Sequence, residues 1–183
     1  MPAESRMITT FSGRRMDPCN PRPEDFCVID IAHALSLKCR FNGHCRFFYS
    51  VAQHSVLCAQ VARRSGADAR WALMHDAAEA YLCDVPRPVK SQLVGFDAIE
   101  QRLLTVLADW LDIPEPSPLP RAVELIDNQI LSVEWPALMC GDSAVELPVL
   151  PVSSPLHDVV VVPWSLEEGK RRFIWMFNSL FGG

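Results

Sequence analysis

No stretch of this sequence approaches the roughly 20 consecutive apolar residues that a membrane span needs, and residues 1–20 hold no apolar run of signal-peptide length. The expectation is a cytoplasmic protein with no membrane partner. Basic charge is also short: 17 Lys and Arg stand against 22 Asp and Glu, a formal net charge of −5. A protein that neutralises phosphates along a nucleic-acid polymer needs the opposite bias, so no polymer partner is expected. Paired cysteine spacing is missing as well. The seven cysteines are an odd number scattered among apolar residues, which fits buried thiols in a reducing compartment rather than a disulfide framework. Cys39, His44 and Cys45, with Cys19 or Cys27, match no familiar zinc spacing. Internal repeats and low-complexity tracts are absent too. What remains is 183 residues, 49% hydrophobic and 21% charged, the composition of one globular domain spanning 1–183.

Helical periodicity dominates that domain. Residues 8–25 combine a β-branched and aromatic run, a Gly turn and prolines, which predicts a short hairpin or extended arm. Apolar spacing then predicts helices over about 24–39, 49–64 (with Gly66 just past its end), 67–82, 96–111 and 121–135, the last closed by Pro136. Prolines 114, 116, 118 and 120 form a stiff connector. Residues 141–164 read as loop, with a short buried strand or extended segment over 159–162. Ser165 with Glu168 predicts a capping box that opens a final helix through Phe173, Met176 and Leu180. The fold class expected is all-α with a small β appendage: a core over about 24–135, and a loop and helix over 136–183.

Within those helices sit groups that packing alone does not explain. His54 falls on the second, the neighbours His75 and Asp76 on the third, and Asp127 on the fifth, all mid-helix and flanked by apolar residues. Polar and charged groups inside an apolar bundle cost several kcal/mol unless compensated, and a shared divalent cation compensates them. Two imidazoles and two carboxylates suit Mn, Co, Fe, Zn or Ni and leave positions open for water and substrate. Glu79 follows His75 by four residues, on the same helical face, where a carboxylate can deprotonate water. Asp84 and Lys90 lie in the proline-braced segment beyond, and Arg40 precedes the Gly43 turn. Cations beside such a site call for an anionic ligand, with phosphate the natural candidate. His33 and His44 read as structural or rim residues, and His157 as solvated.

The order His54, His75-Asp76, Asp127 resembles the H…HD…D signature of the HD-domain metal-dependent phosphohydrolases, an all-α family with a five-helix metal-binding core. The run from His75-Asp76-Ala77-Ala78-Glu79 to Asp84-Val85-Pro86-Arg87-Pro88-Val89-Lys90 resembles the 5′-deoxynucleotidase branch, as does Arg40-Phe41. Residues 31–36 and 48–54 are similar to a bacterial and phage subgroup, some members of which act on deoxynucleoside triphosphates, dATP among them. The likeness covers roughly residues 17–131.

The resemblance implies one divalent metal ion on His54, His75, Asp76 and Asp127, with additional Mg accompanying the phosphates as a further option. It implies that Glu79 assists the attacking water or protonates the leaving 5′-oxygen, that Asp84 lies near the sugar, and that Arg40 and Lys90 hold phosphate oxygens. Phe41 and Pro88 match positions that wall the nucleoside; Phe41 stands where that branch has Trp and so lacks an indole N–H donor. The substrate expected is a small 5′-deoxynucleotide, cleaved at the α-phosphorus to a nucleoside plus phosphate or triphosphate. Relatives that are dimeric or larger imply a homo-oligomer. The rival readings are hydrolysis of an alarmone or cyclic dinucleotide, and an HD module that binds nucleotide without hydrolysing it.

Overall fold

The computed structural model describes residues 6–114, 120–141 and 146–182. It is mostly helical, 60% helix and 4% strand, with one small two-stranded antiparallel sheet. The expected arm is that sheet: β1 (Ile8–Thr9) pairs with β2 (Arg15–Met16), Ile8 opposite Met16. It is pinned to the core by the buried carboxylate of Asp30, which accepts from the Thr10 hydroxyl at 2.8 Å and from the Ser12 amide and hydroxyl at 2.6 and 2.8 Å. Asp30 belongs to α1 (Val28–Leu37). That helix begins four residues later than its periodicity predicts, because Pro23–Asp25 form a separate 3-10 turn and Phe26 and Cys27 are extended.

The centre of the fold is α2 (Val51–Ser65), whose first nine residues are all buried and which packs against α1, α3 (Ala69–Met74), α7 (Arg121–Leu138) and α8 (Leu166–Phe181). Both of its ends are encoded locally. The Ser50 hydroxyl accepts from the Gln53 amide at 3.1 Å, and Gly66 takes the left-handed conformation (φ +74°) that ends the helix. At the start of α8 (Leu166–Phe181), a Cβ on Gly169 would lie 3.3 Å from the Ser50 hydroxyl oxygen, so the missing side chain lets α8 approach the N-terminus of α2. The Ser165 hydroxyl accepts from the Glu168 amide at 3.1 Å, which is half of the expected capping box; the Glu168 carboxylate pairs instead with Arg171 and Arg172.

Three expectations are corrected. The helix predicted over 67–82 is broken into α3 (Ala69–Met74) and α4 (Glu79–Leu82), so His75 and Asp76 sit in a turn rather than mid-helix. Bonds of the i→i−3 kind, such as Ala77 N to Met74 O and Glu79 N to Asp76 O, wind this turn more tightly than an α-helix. Beyond it, α5 (Arg87–Lys90) is a short helix with Pro88 in its first turn, and α6 (Phe96–Leu111) has its predicted bounds. Secondly, α7 (Arg121–Leu138) runs through Pro136 instead of stopping at it. Pro136 falls in the last turn, and the Met139 amide still reaches the Trp135 carbonyl at 2.9 Å. Thirdly, residues 159–162 form no strand, and Val160 and Val162 are exposed. Gln53 ties this segment down, donating to the Val162 carbonyl at 2.7 Å and accepting from the Trp164 amide at 3.2 Å. The proline connector lies mostly outside the described residues.

Candidate metal centre and adjoining cavity

Three chain segments converge on one buried cluster. From α2 comes His54, 0% exposed, with Cys58 one turn later. The tight turn between α3 and α4 brings His75 and Asp76, and α7 brings Asp127. His54 Nε2 lies 3.3 Å from His75 Nε2, 3.2 Å from Asp127 Oδ1 and 3.7 Å from Asp76 Oδ2. His75 Nε2 lies 3.4 Å from Asp76 Oδ1 and 3.7 Å from Asp127 Oδ1. Donors placed tetrahedrally at metal–ligand distances of 2.0–2.1 Å are separated by about 3.3 Å, so these spacings fit a shared cation. His54, Cys58 and His75 present ligand atoms within 4.8 Å of one another, a group that could hold a metal ion. The Cys58 sulfur is 3.5 Å from His54 Nε2.

Both imidazoles are oriented by their other nitrogen. His75 Nδ1–H donates to the Ala72 carbonyl at 2.9 Å. His54 Nδ1–H donates to Glu134 Oε1 at 2.7 Å. Each ring thereby turns Nε2 to the cluster, the arrangement in which an imidazole ligates a metal.

The charges are strongly coupled. Burial opposes ionisation of Asp127, yet the adjacent His54 and His75 imidazoles hold it far below the usual carboxylate range. Burial and the Arg40 guanidinium oppose a proton on His54, but the Cys58, Glu134 and Asp127 groups raise it well above the ordinary imidazole value. His75 is raised as well: burial works against its cation, and Asp76 and Asp127 outweigh it.

Beside the cluster opens a cavity of about 580 Å³, lined in part by Arg40, Phe41, Asp76, Glu79, Asp84 and Asp127. That is within the range that takes a drug-sized ligand. Burial, then Asp76 and Asp84, push the Glu79 carboxyl well above its normal range, and its Oε2 is buried with no hydrogen-bond partner. Asp84 is raised too, chiefly by burial. Arg40 places Nη2 at 3.1 Å from Glu134 Oε2 and Nη1 at 3.7 Å from Asp76 Oδ2, while its Nε is buried without a partner. The rim beside it is strained: Phe41 and Asn42 both have positive φ (+53° and +54°), an arrangement that costs on the order of 1–3 kcal/mol per residue and is typical of functional sites. Phe41 meets Trp135 edge-on at 5.8 Å.

Pro88 lines the cavity. Lys90 lines the same cavity, its ammonium paired with Glu100. The cation that reaches the cluster from this segment is Arg87, whose Nη2 lies 2.9 Å from Asp127 Oδ2 and whose Nη1 donates to Asn128 Oδ1 at 2.9 Å. Sequence reading passes over Arg87, Trp135, Cys58 and Glu134. Two signals were available. Glu134 stands seven residues after Asp127, on the apolar stripe of Val123, Ile126 and Ile130, and Cys58 stands four after His54.

The fold and site define a mostly helical protein with a buried His54, Cys58 and His75 group that could hold a metal ion. The chain belongs to the family of Uncharacterized protein YfdR of Escherichia coli (strain K12), to which it is 35% identical over 173 residues, 94% of each chain. An uncharacterized protein of Rhodobacter capsulatus is 37% identical over 128 residues, 64% of this chain and 65% of that one. No family model matches the chain. Among the described residues, no helix is long and apolar enough to cross a membrane.

Proposed function

We propose that the chain is an HD-domain metal-dependent phosphohydrolase that attacks the α-phosphorus of 5′-deoxynucleotides. The observation that carries this reading is that His54 Nε2 and His75 Nε2 lie 3.3 Å apart with Asp76 and Asp127 oxygens 3.2–3.7 Å from them, opening onto a cavity of nucleotide size. His54, His75, Asp76 and Asp127 would hold the divalent cation, with the Cys58 sulfur at its edge. Bound there, the cation supplies Lewis acidity toward a phosphoryl oxygen and an attacking water.

Glu79 is the general base in this reading. Its unpartnered Oε2 takes the proton from the water, and burial raises its basicity for the task. Arg40 stabilises charge on the phosphoryl oxygens with a guanidinium held in place by two carboxylates. Phe41, Trp135 and Pro88 supply the apolar wall against which a nucleoside packs. Asp84 faces the same cavity, where it accepts from a sugar hydroxyl.

The test is a panel of deoxynucleoside mono-, di- and triphosphates incubated with Mn or Co, with identification of products. Release of free phosphate from monophosphates, or of tripolyphosphate from triphosphates, supports the reading and distinguishes its two forms. No turnover of any member with either metal overturns it.

A further inference from the structure

The Glu134 side chain is 0% exposed and makes three charge-assisted contacts within one cluster. Its Oε1 accepts from His54 Nδ1–H at 2.7 Å and from the Tyr49 hydroxyl at 2.7 Å, and its Oε2 accepts from Arg40 Nη2 at 3.1 Å. The partners come from one stretch of chain, residues 40–54, closed on itself by the Arg40 amide donating to the Tyr49 carbonyl at 2.9 Å. Glu134 itself comes from α7, two turns beyond Asp127. One helix therefore supplies the cluster with a direct ligand and with the carboxylate that orients another.

The position of Arg40 gives that carboxylate a second task. The guanidinium lies between two acids, 3.1 Å from Glu134 and 3.7 Å from Asp76. Asp76 is also placed to hold the cation. Without the charge of Glu134, the buried guanidinium has Asp76 as its nearer compensation, and a buried charge does not stay unpaired. Arg40 would then draw the Asp76 carboxylate away from the cluster while the His54 ring loses the acceptor that fixes its orientation.

We propose that Glu134 is a positioning residue joining the phosphate-binding and metal-binding halves of the site, fixing His54 with Nε2 toward the cation and keeping Arg40 from closing further onto Asp76. The inference rests on the metal-dependent reading above. Its consequence is specific: the harm done by neutralising Glu134 passes partly through Arg40, so removing Arg40 as well restores part of what was lost. A residue that merely packs α7 against α2 produces no such recovery.

The probe is Mn²⁺ alone, titrated at fixed pH by calorimetry into the full chain and into Glu134→Gln, Arg40→Met and the double variant, with folding checked by circular dichroism. Loss of one contact behind a metal ligand typically weakens affinity about 10- to 100-fold, and that is the effect expected of Glu134→Gln. In the double variant Mn²⁺ binds more tightly than in Glu134→Gln, and Arg40→Met alone binds it at least as tightly as the wild type. Tyr49→Phe, which removes one hydroxyl from the same carboxylate, leaves the affinity within a few-fold of wild type. If Glu134→Gln does not fold, Arg40→Met decides: weaker Mn²⁺ binding there overturns the proposal. Wild-type affinity in a folded Glu134→Gln, or additive losses in the double variant, also overturn it. Failure of the wild type itself to bind Mn²⁺ overturns the metal-dependent reading beneath it, a result distinct from the others.

Discussion

His54 and His75 turn their Nε2 atoms toward each other at 3.3 Å while their Nδ1 atoms are held by separate acceptors, the Glu134 carboxylate and the Ala72 carbonyl. Two buried imidazoles aimed at one point are poor packing partners. With Asp76 and Asp127 beside them they form a donor set whose spacing matches a shared cation, and the consequences of that can be measured.

Adding metal should stabilise the protein. At a free Mn²⁺ concentration a hundred times the dissociation constant, mass action contributes about 2.7 kcal/mol, read as a rise in melting temperature over a chelator-treated sample. Asp127→Asn should abolish the rise. The shift should shrink as pH falls, because surrounding acids raise the proton affinity of His54 and His75, and a protonated imidazole cannot ligate. An equal shift in Asp127→Asn would show that the metal binds elsewhere.

Glu79→Gln should separate chemistry from binding. Removing a general base typically lowers turnover by about 10²- to 10⁴-fold, whereas Mn²⁺ affinity should stay near wild type because Glu79 stands beside the ligand set. Parallel loss of metal would make Glu79 a ligand.

Lys90→Ala should have little effect on KM. Its ammonium is engaged by Glu100 at the cavity edge, and such partly exposed pairs contribute about 0–1 kcal/mol. Arg40→Ala should raise KM far more. Comparable effects from the two substitutions would return Lys90 to the phosphate site.

Trp71→Ala tests the scaffold. The Trp71 ring is fully buried and its Nε1–H donates to the Pro114 carbonyl at 2.9 Å. Truncation of such a residue costs about 3–5 kcal/mol, to be checked by urea unfolding. A loss under 1 kcal/mol would mean that α3 is not part of the core.

Much of this architecture is legible in the sequence where local chemistry decides the outcome. Gly66 ends α2, Ser165 opens α8, and the broad apolar face of 96–111 gives α6 its bounds. The break at His75–Ala78 is not legible, since none of those residues is Gly or Pro and the tight turn depends on tertiary contacts. Pro136 misleads in the other direction: a lost hydrogen bond in a final turn is tolerated. Of the site, the histidines and the two aspartates are found by their order along the chain. Glu134 is hidden because its partners Arg40, Tyr49 and His54 lie 80 or more residues from it in the sequence.

The most direct test of the central claim is metal content and turnover measured together on purified wild type and Asp76→Ala, with Mn or Co and a deoxynucleotide panel. Wild type should carry about one divalent ion per chain and hydrolyse at least one deoxynucleotide, and Asp76→Ala should lose both. Turnover that survives in Asp76→Ala would contradict that claim and place the chemistry elsewhere in the molecule.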